Sequence, residues 1–214
     1  MPYRVTPRGA ERRAVMRARL LAAARALFAT QGYAATTTRQ VVHEAGTSMG
    51  NLYFYFPDKE ALLRALVEEA TADVARAIDA ASTRVPPGAA QLAVAVATSV
   101  TALTAHADLA RLVFVEAAHV GLRPVVMAQF AARVRAFLAA HPTLLRGAPA
   151  DLVAAAWQGA IFAVLEEALA QGTPPDAVAL GRFLARWNLQ ALGLPPPLVE
   201  EALRALDDDG HDYV

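Results

Sequence analysis

Residues 45–62 read AGTSMGNLYFYFPDKEAL and place four aromatic side chains in four consecutive positions, Tyr53 to Phe56. Lys59, just beyond them, is the only lysine; the other nineteen basic residues are arginines. A core does not readily take two phenol hydroxyls so close together, because a buried polar group without a partner costs about 1–3 kcal/mol. A solvated surface has little use for so many rings. Rotation by about 100° per residue sorts the segment as a helix. Met49, Leu52 and Phe56 share one side, the natural core side; Gly50, Asn51 and Phe54 lie opposite; Tyr53 and Tyr55 take the flanks.

The neighbouring sequence supports a short helix here. From Glu11 to Thr30, residues Met16, Leu20, Ala24, Leu27 and Phe28 recur at helical spacing and form one apolar face, flanked by Arg12, Arg13 and Arg19. Gly32 is expected to end that helix. Thr36-Thr37-Thr38 offers hydroxyls to cap a second, whose apolar face is Val41, Val42 and Ala45. Gly46 breaks it after about two turns; Thr47 or Ser48 caps a third, which Pro57 ends. Asp58 caps a fourth, continued by Leu62, Leu63, Leu66 and Val67. Two short helices around a glycine turn, packed on a longer one, make a helix-turn-helix. The outward residues are then free to meet base edges, and the flanking phenols to meet phosphates. Gly50 lets the backbone approach a groove closely, and Lys59 adds a point charge beside N–H groups that already attract anions. A plainer reading competes: Tyr53 and Tyr55 simply pack between helices.

The run GYAATTTRQVVHEAGTSMGNLYFYFPDKEALL, residues 32–63, resembles the DNA-binding signature of tetracycline-repressor (TetR) type regulators: a glycine-aromatic pair, Thr-Thr, Ala-Gly-x-Ser, Leu-Tyr-x-Tyr-Phe and Lys-Glu. The resemblance implies that Thr37 and Thr38 sit against phosphate at the start of the second helix, with Arg39 toward the major groove. It implies that Thr47, Ser48, Met49, Gly50 and Asn51, with Phe54, form the reading surface, and that Tyr53, Tyr55 and Lys59 clamp the backbone. Val42 and Thr47 depart from the alanine and valine usual at those places.

Charge agrees with this division. Net charge is zero, yet residues 1–59 hold nine basic against three acidic residues, and the remainder is acidic by the same margin. A basic end on an acidic body points to a polyanion met by the first part alone. Hydrophobic residues make up 56% of the 214, mostly alanine and leucine, which favours helix. The chain has no cysteine, which removes disulfides, thiol nucleophiles and thiolate metal sites. Residues 85–107 carry no formal charge, but Pro86-Pro87-Gly88 and several polar residues argue for a buried helix rather than a membrane span. No secretory signal opens the sequence, so the expected location is the cytoplasm.

The remainder reads as successive helices separated by proline and glycine: about 58–83, 89–105, 109–119, 125–140, 151–171, 176–192 and 195–206. The expected fold is all-α, with nine or ten helices: a helix-turn-helix domain over 1–57 and a helical effector-binding and dimerisation domain over 58–214. Residues 152–165 are small or apolar apart from Gln158, so that helix needs cover on several sides. The family resemblance implies a two-fold four-helix-bundle dimer there, for which Leu152, Trp157, Ile161, Leu165, Phe183 and Trp187 are the candidate interface. Such a dimer places two reading helices on a palindromic operator, with half-sites about 34 Å or a multiple apart.

His43, His106, His119, His141 and His211 show no metal-ligand or triad spacing, and no glycine loop suits a phosphate. No catalytic, metal or cofactor site is therefore expected. The resemblance implies instead a small effector within the body, and the candidate lining is Arg111, Phe114, Glu116, His119, Met127, Phe130, Trp157 and Phe162. Their apolar bias suits a hydrophobic or amphipathic compound, acyl or aromatic. The leading expectation is an effector-released transcriptional repressor acting as a homodimer on double-stranded DNA. A helical-bundle enzyme, and a protein-interaction module with a basic N-terminus, are the alternatives.

Overall fold

The computed structural model describes residues 7–104, 114, 120–170 and 176–208, and among these every regular element is helical. The helix expected over 109–119 lies outside them, as do Arg111, Glu116, His119 and His211. In chain order the helices are α1 (Pro7–Ala35), α2 (Thr38–Glu44), α3 (Met49–Tyr55), α4 (Lys59–Ser82), α5 (Ala89–Thr104), α6 (Arg123–Ala140), α7 (Ala150–Ala170), α8 (Ala177–Ala191) and α9 (Pro196–Asp208). A 3₁₀ turn, Pro142–Leu145, follows α6.

The first helices form where local chemistry directs. Leu20, Ala24 and Phe28 of the expected apolar face are buried, and Met16 and Leu27 pack partly against the same core. Helical geometry fails in α1 at Gly32 (φ 81°, ψ 162°). Thr37 caps α2 reciprocally: its hydroxyl accepts the Gln40 N–H, and the Gln40 side chain accepts the Thr37 N–H at 2.8 Å. Gly46 (φ 59°) turns the chain out of α2. Ser48 caps α3, and Asp58 caps α4 by accepting the Ala61 N–H at 2.7 Å.

In the body, α5 is the central element, packed against α4, α8 and α9. That explains its uncharged sequence: it is buried on several sides. No described helix is long and apolar enough to cross a membrane. A Cβ added at Gly181 of α8 would stand 3.1 Å from the Ala97 Cα of α5, so these helices touch backbone to backbone. The amphipathic α9 buries Val199, Ala202 and Leu203 and is tied to α8 by the Arg182–Asp207 and Arg186–Glu200 ion pairs. One continuous cluster of buried hydrophobic residues runs from Leu20 in α1 to Leu203 in α9, and α4 contributes to it along its length.

Candidate functional site

On α3, Leu52 and Phe56 are buried and Met49 packs partly against the core, as the helical rotation predicts. Phe54 is 66% exposed and Tyr53 51%, on a helix of only seven residues fixed by its cap and its buried face. Two large rings are thereby held out into solvent. The Phe54 ring is braced edge-on by Tyr55, with centroids 4.9 Å apart. Gly50 is exposed with open space before it, and Arg39 on α2 is exposed as well. The Ser48 hydroxyl accepts the Asn51 N–H at 3.2 Å, and its own hydrogen remains able to donate outward.

Four of the expected contact residues are engaged within the protein. Asn51 is only half-exposed: its amide donates one hydrogen bond to the Thr47 hydroxyl at 2.8 Å, one turn back, which ties the two side chains together. Tyr55 is no free flank, since its ring packs partly against the core. Thr37 spends its hydroxyl on Gln40, accepting its N–H and donating to its side chain at 2.9 Å. Lys59 departs furthest. Its ammonium donates to the carbonyls of Tyr33 (2.7 Å), Thr36 (2.8 Å) and Ala34 (3.4 Å), and lies 4.2 Å from the Tyr33 ring centroid. From the first turn of α4 it caps the end of α1, where orphan carbonyls and the helix dipole both favour a cation. Burial first, and then the nearby Glu60 and Asp58 carboxylates, push the Tyr33 phenol above its ordinary pKa.

Two arginines complete the frame and were not singled out for it by the sequence. Arg19 donates to the Ala45 carbonyl at 2.6 Å, closing the end of α2. Arg17 pairs with Glu69 at 2.8 Å and joins α1 to α4.

Residues 20–66 match the model of the bacterial regulatory proteins of the tetR family. The match runs from the middle of α1 into the first turns of α4. A 36% identical stretch of 62 residues links it to an uncharacterized HTH-type transcriptional regulator, YfiR, of Bacillus subtilis; the stretch covers 29% of this chain and 30% of that one. The fold resembles the fatty acid degradation regulator FadR of Bacillus halodurans, with a TM-score of 0.73 at 19% identity over 81% of this chain and 94% of that one. It also resembles RolR in complex with resorcinol, with a TM-score of 0.62 at 27% identity over 92% and 95% of the two chains.

In the body a cavity of about 450 Å³ lies between α4, α5, α6 and α7, a size that suits a small molecule. Phe130, Trp157 and Phe162 line it, as the sequence suggests. Phe114 is buried edge-on behind Phe162, with centroids 4.8 Å apart. Met127 is not in the wall; its backbone carbonyl accepts from the Gln158 amide, and Gln158 lines the cavity instead. The walls from α4 and α5 contain none of the candidate lining residues expected from the sequence. Asp79, Ser82 and Gln91 gather near the α4–α5 turn, Ser99 lies further along α5, and Arg133 projects from α6. The polar anchors expected at Arg111 and Glu116 fall outside the described residues.

The candidate dimer residues divide. Leu152, Phe183 (56% exposed) and Trp187 (43%) stand out from α7 and α8. Trp157 and Leu165 are buried within the protomer, and Ile161 faces the cavity, so these three have little or no surface left for a partner. Leu184 and Leu189 of α8 are likewise in the core.

Proposed function

We propose that this chain is an effector-responsive DNA-binding transcriptional regulator, a cytoplasmic repressor that grips a palindromic operator as a homodimer through residues 1–57 and senses a small molecule with the rest. The observation that carries this reading is the outward display of Phe54 and Tyr53 on a short, doubly anchored helix. Phe54 suits apolar contact with a thymine methyl, while Tyr53, Ser48 and Arg39 are placed to meet phosphate or base edges. Thr38, at the first position of α2, stands beside free N–H groups that favour the same phosphate. Such a protein works by binding alone and needs no catalytic centre.

The exposed Phe183 and Trp187 support a dimer through α7 and α8, with Leu152 at its edge. Resorcinol in RolR, 27% identical to this chain, supports a compact effector in the cavity rather than a purely structural void. Effector binding then favours a dimer geometry in which the two reading helices no longer match the half-sites.

The test is selection of bound duplexes from a random pool, followed by anisotropy titration of the best sequence. A palindrome bound by two chains is expected, with Phe54→Ala weakening it far more than random DNA. Equal weakening on both removes Phe54 from the reading surface, and failure to enrich any duplex overturns the regulator reading.

A further inference from the structure

We propose that the effector is a weak organic acid, an apolar body ending in a carboxylate, and that this carboxylate draws Arg133 away from α4. The inference rests on the reading of the chain as an effector-controlled regulator and adds the chemistry of its effector.

Among the described residues of the cavity wall, only Asp79 and Arg133 carry formal charge. Asp79 is the more exposed, turned largely to water. Arg133 is the more enclosed, and it also borders a second hollow of about 380 Å³ between α4 and α6, so it stands with Phe130 in the partition between the two spaces. Its bonds to the protein both leave from one nitrogen: Nη2 donates to the Asp79 carboxylate and, at 3.4 Å, to the Ala75 carbonyl. A guanidinium has five N–H donors. Those on Nη1 and Nε have no protein partner among the described residues. Two adjacent unused donors in a planar fork match the two oxygens of a carboxylate. Among the described lining residues a cationic ligand would meet only Asp79, which already has a partner and faces solvent. The remaining wall is mostly aromatic and aliphatic, with Phe130, Trp157, Phe162 and Leu103 among it, which suits the apolar body.

The same geometry couples the site to the reading head. Ala75 and Asp79 lie one turn apart, so Arg133 clips α6 to a single turn of α4. At its other end α4 holds the end of α1 through Lys59, and pairs with it through Glu69. A half-exposed ion pair holds weakly, so a better-enclosed carboxylate competes successfully for Arg133 and frees that turn of α4 to shift.

The experiment is calorimetric titration of the full chain with straight-chain and aryl-substituted carboxylates beside their primary amides, followed by anisotropy on the selected operator. At least one acid is expected to bind about tenfold or more tightly than its amide, and Arg133→Gln is expected to abolish that preference. Asp79→Asn, which frees the guanidinium without removing it, is expected to tighten acid binding several-fold and keeps the test valid if Arg133→Gln folds poorly. The binding acid is also expected to release operator from the native chain and not from Arg133→Gln. Acids that bind no better than amides, or a preference that survives Arg133→Gln, overturn the carboxylate site. Acid binding without operator release overturns its coupling to α4. A chain that binds acids through Arg133 but no duplex leaves the carboxylate site standing and sinks the regulator reading, so the two failures are distinguishable.

Discussion

The head, α1 to α3, and the body, α4 to α9, are built by different means. The head is assembled from short-range instructions: Thr37 with Gln40, Ser48 with Asn51, and Gly46 at the turn, each acting within a few residues. The body is assembled by close packing of long helices, with α5 at the centre and backbone contact at Gly181 and Ala97. The polar interior differs accordingly. In the head, buried Thr36 donates to the Gly32 carbonyl at 2.8 Å and accepts from Gln31 at 3.1 Å. In the body, Thr98 Oγ1 and Asn188 Oδ1 are buried with no hydrogen-bond partner among the described residues. The buried hydroxyl of the head is therefore satisfied on both sides, whereas the body leaves two buried oxygens without a partner among the described residues.

The strongest challenge to this contrast is cooperativity, because the buried cluster runs through both parts without interruption. Phe28→Ala removes a fully buried ring from the head and is expected to cost about 3–5 kcal/mol. Circular dichroism and tryptophan fluorescence should still report one transition, since both tryptophans, Trp157 and Trp187, lie in the body. If the fluorescence transition stays in place while helix is lost earlier, head and body fold independently and α4 is a linker.

Next in size is Lys59→Met, which keeps the aliphatic stem and removes the donors on Tyr33, Ala34 and Thr36. Charge-assisted bonds of this kind are worth about 1.5–3 kcal/mol each, and partial exposure places the expected loss at the lower end. The salt dependence of operator binding should be unchanged, since the ammonium is engaged within the protein. A slope shallower by about 0.9 would show instead that it neutralises a phosphate.

Lys59 also shows where the sequence stops being readable. Its position after the aromatic run is obvious, but its partners lie 23 to 26 residues earlier and are brought to it by folding. Caps and glycine turns were legible because partner and signal share one short segment. The Asn51–Thr47 bond spans four residues and was within reach of the same reasoning. In the cavity, Phe130, Trp157 and Phe162 stand out as aromatics in apolar helices. Arg133 and Asp79 are 54 residues apart, each ordinary on its own helix, and only the packing of α4 on α6 makes them a pair. Trp157 was assigned to both cavity and interface because helical spacing does not say which neighbour covers which face; in the fold the chain's own helices cover it.

One substitution made in both regions sharpens the contrast at smaller scale. Thr36→Val leaves the Gly32 carbonyl and the Gln31 amide without their partner and should cost about 1 kcal/mol or more. Thr98→Val removes a hydroxyl with no partner among the described residues and should be neutral or stabilise by up to about 1 kcal/mol. Opposite signs in denaturant melts support the difference in polar satisfaction; equal losses would mean that Thr98 is satisfied in solution.

The smallest effect concerns acid. Arg186 holds the Glu200 carboxyl below its ordinary range chiefly through their hydrogen bond, which outweighs the opposing desolvation and is helped by the charges of Arg186, Arg182 and Arg204. A carboxylate whose folded pKa is depressed contributes stability that is fully present above its unfolded value, near 4.5, and is lost as pH falls through the folded one. Both partners are solvent-exposed, so the change should be too small for a global melt and is best sought in hydrogen exchange of α9. Protection there is expected to fall below about pH 4.5 in the native chain and to lose that pH dependence in Glu200→Gln, while α2 and α3 show neither change. If the head loosens in step with α9, the acid response does not belong to this pair, and the continuous core transmits more between the two regions than their local chemistry implies.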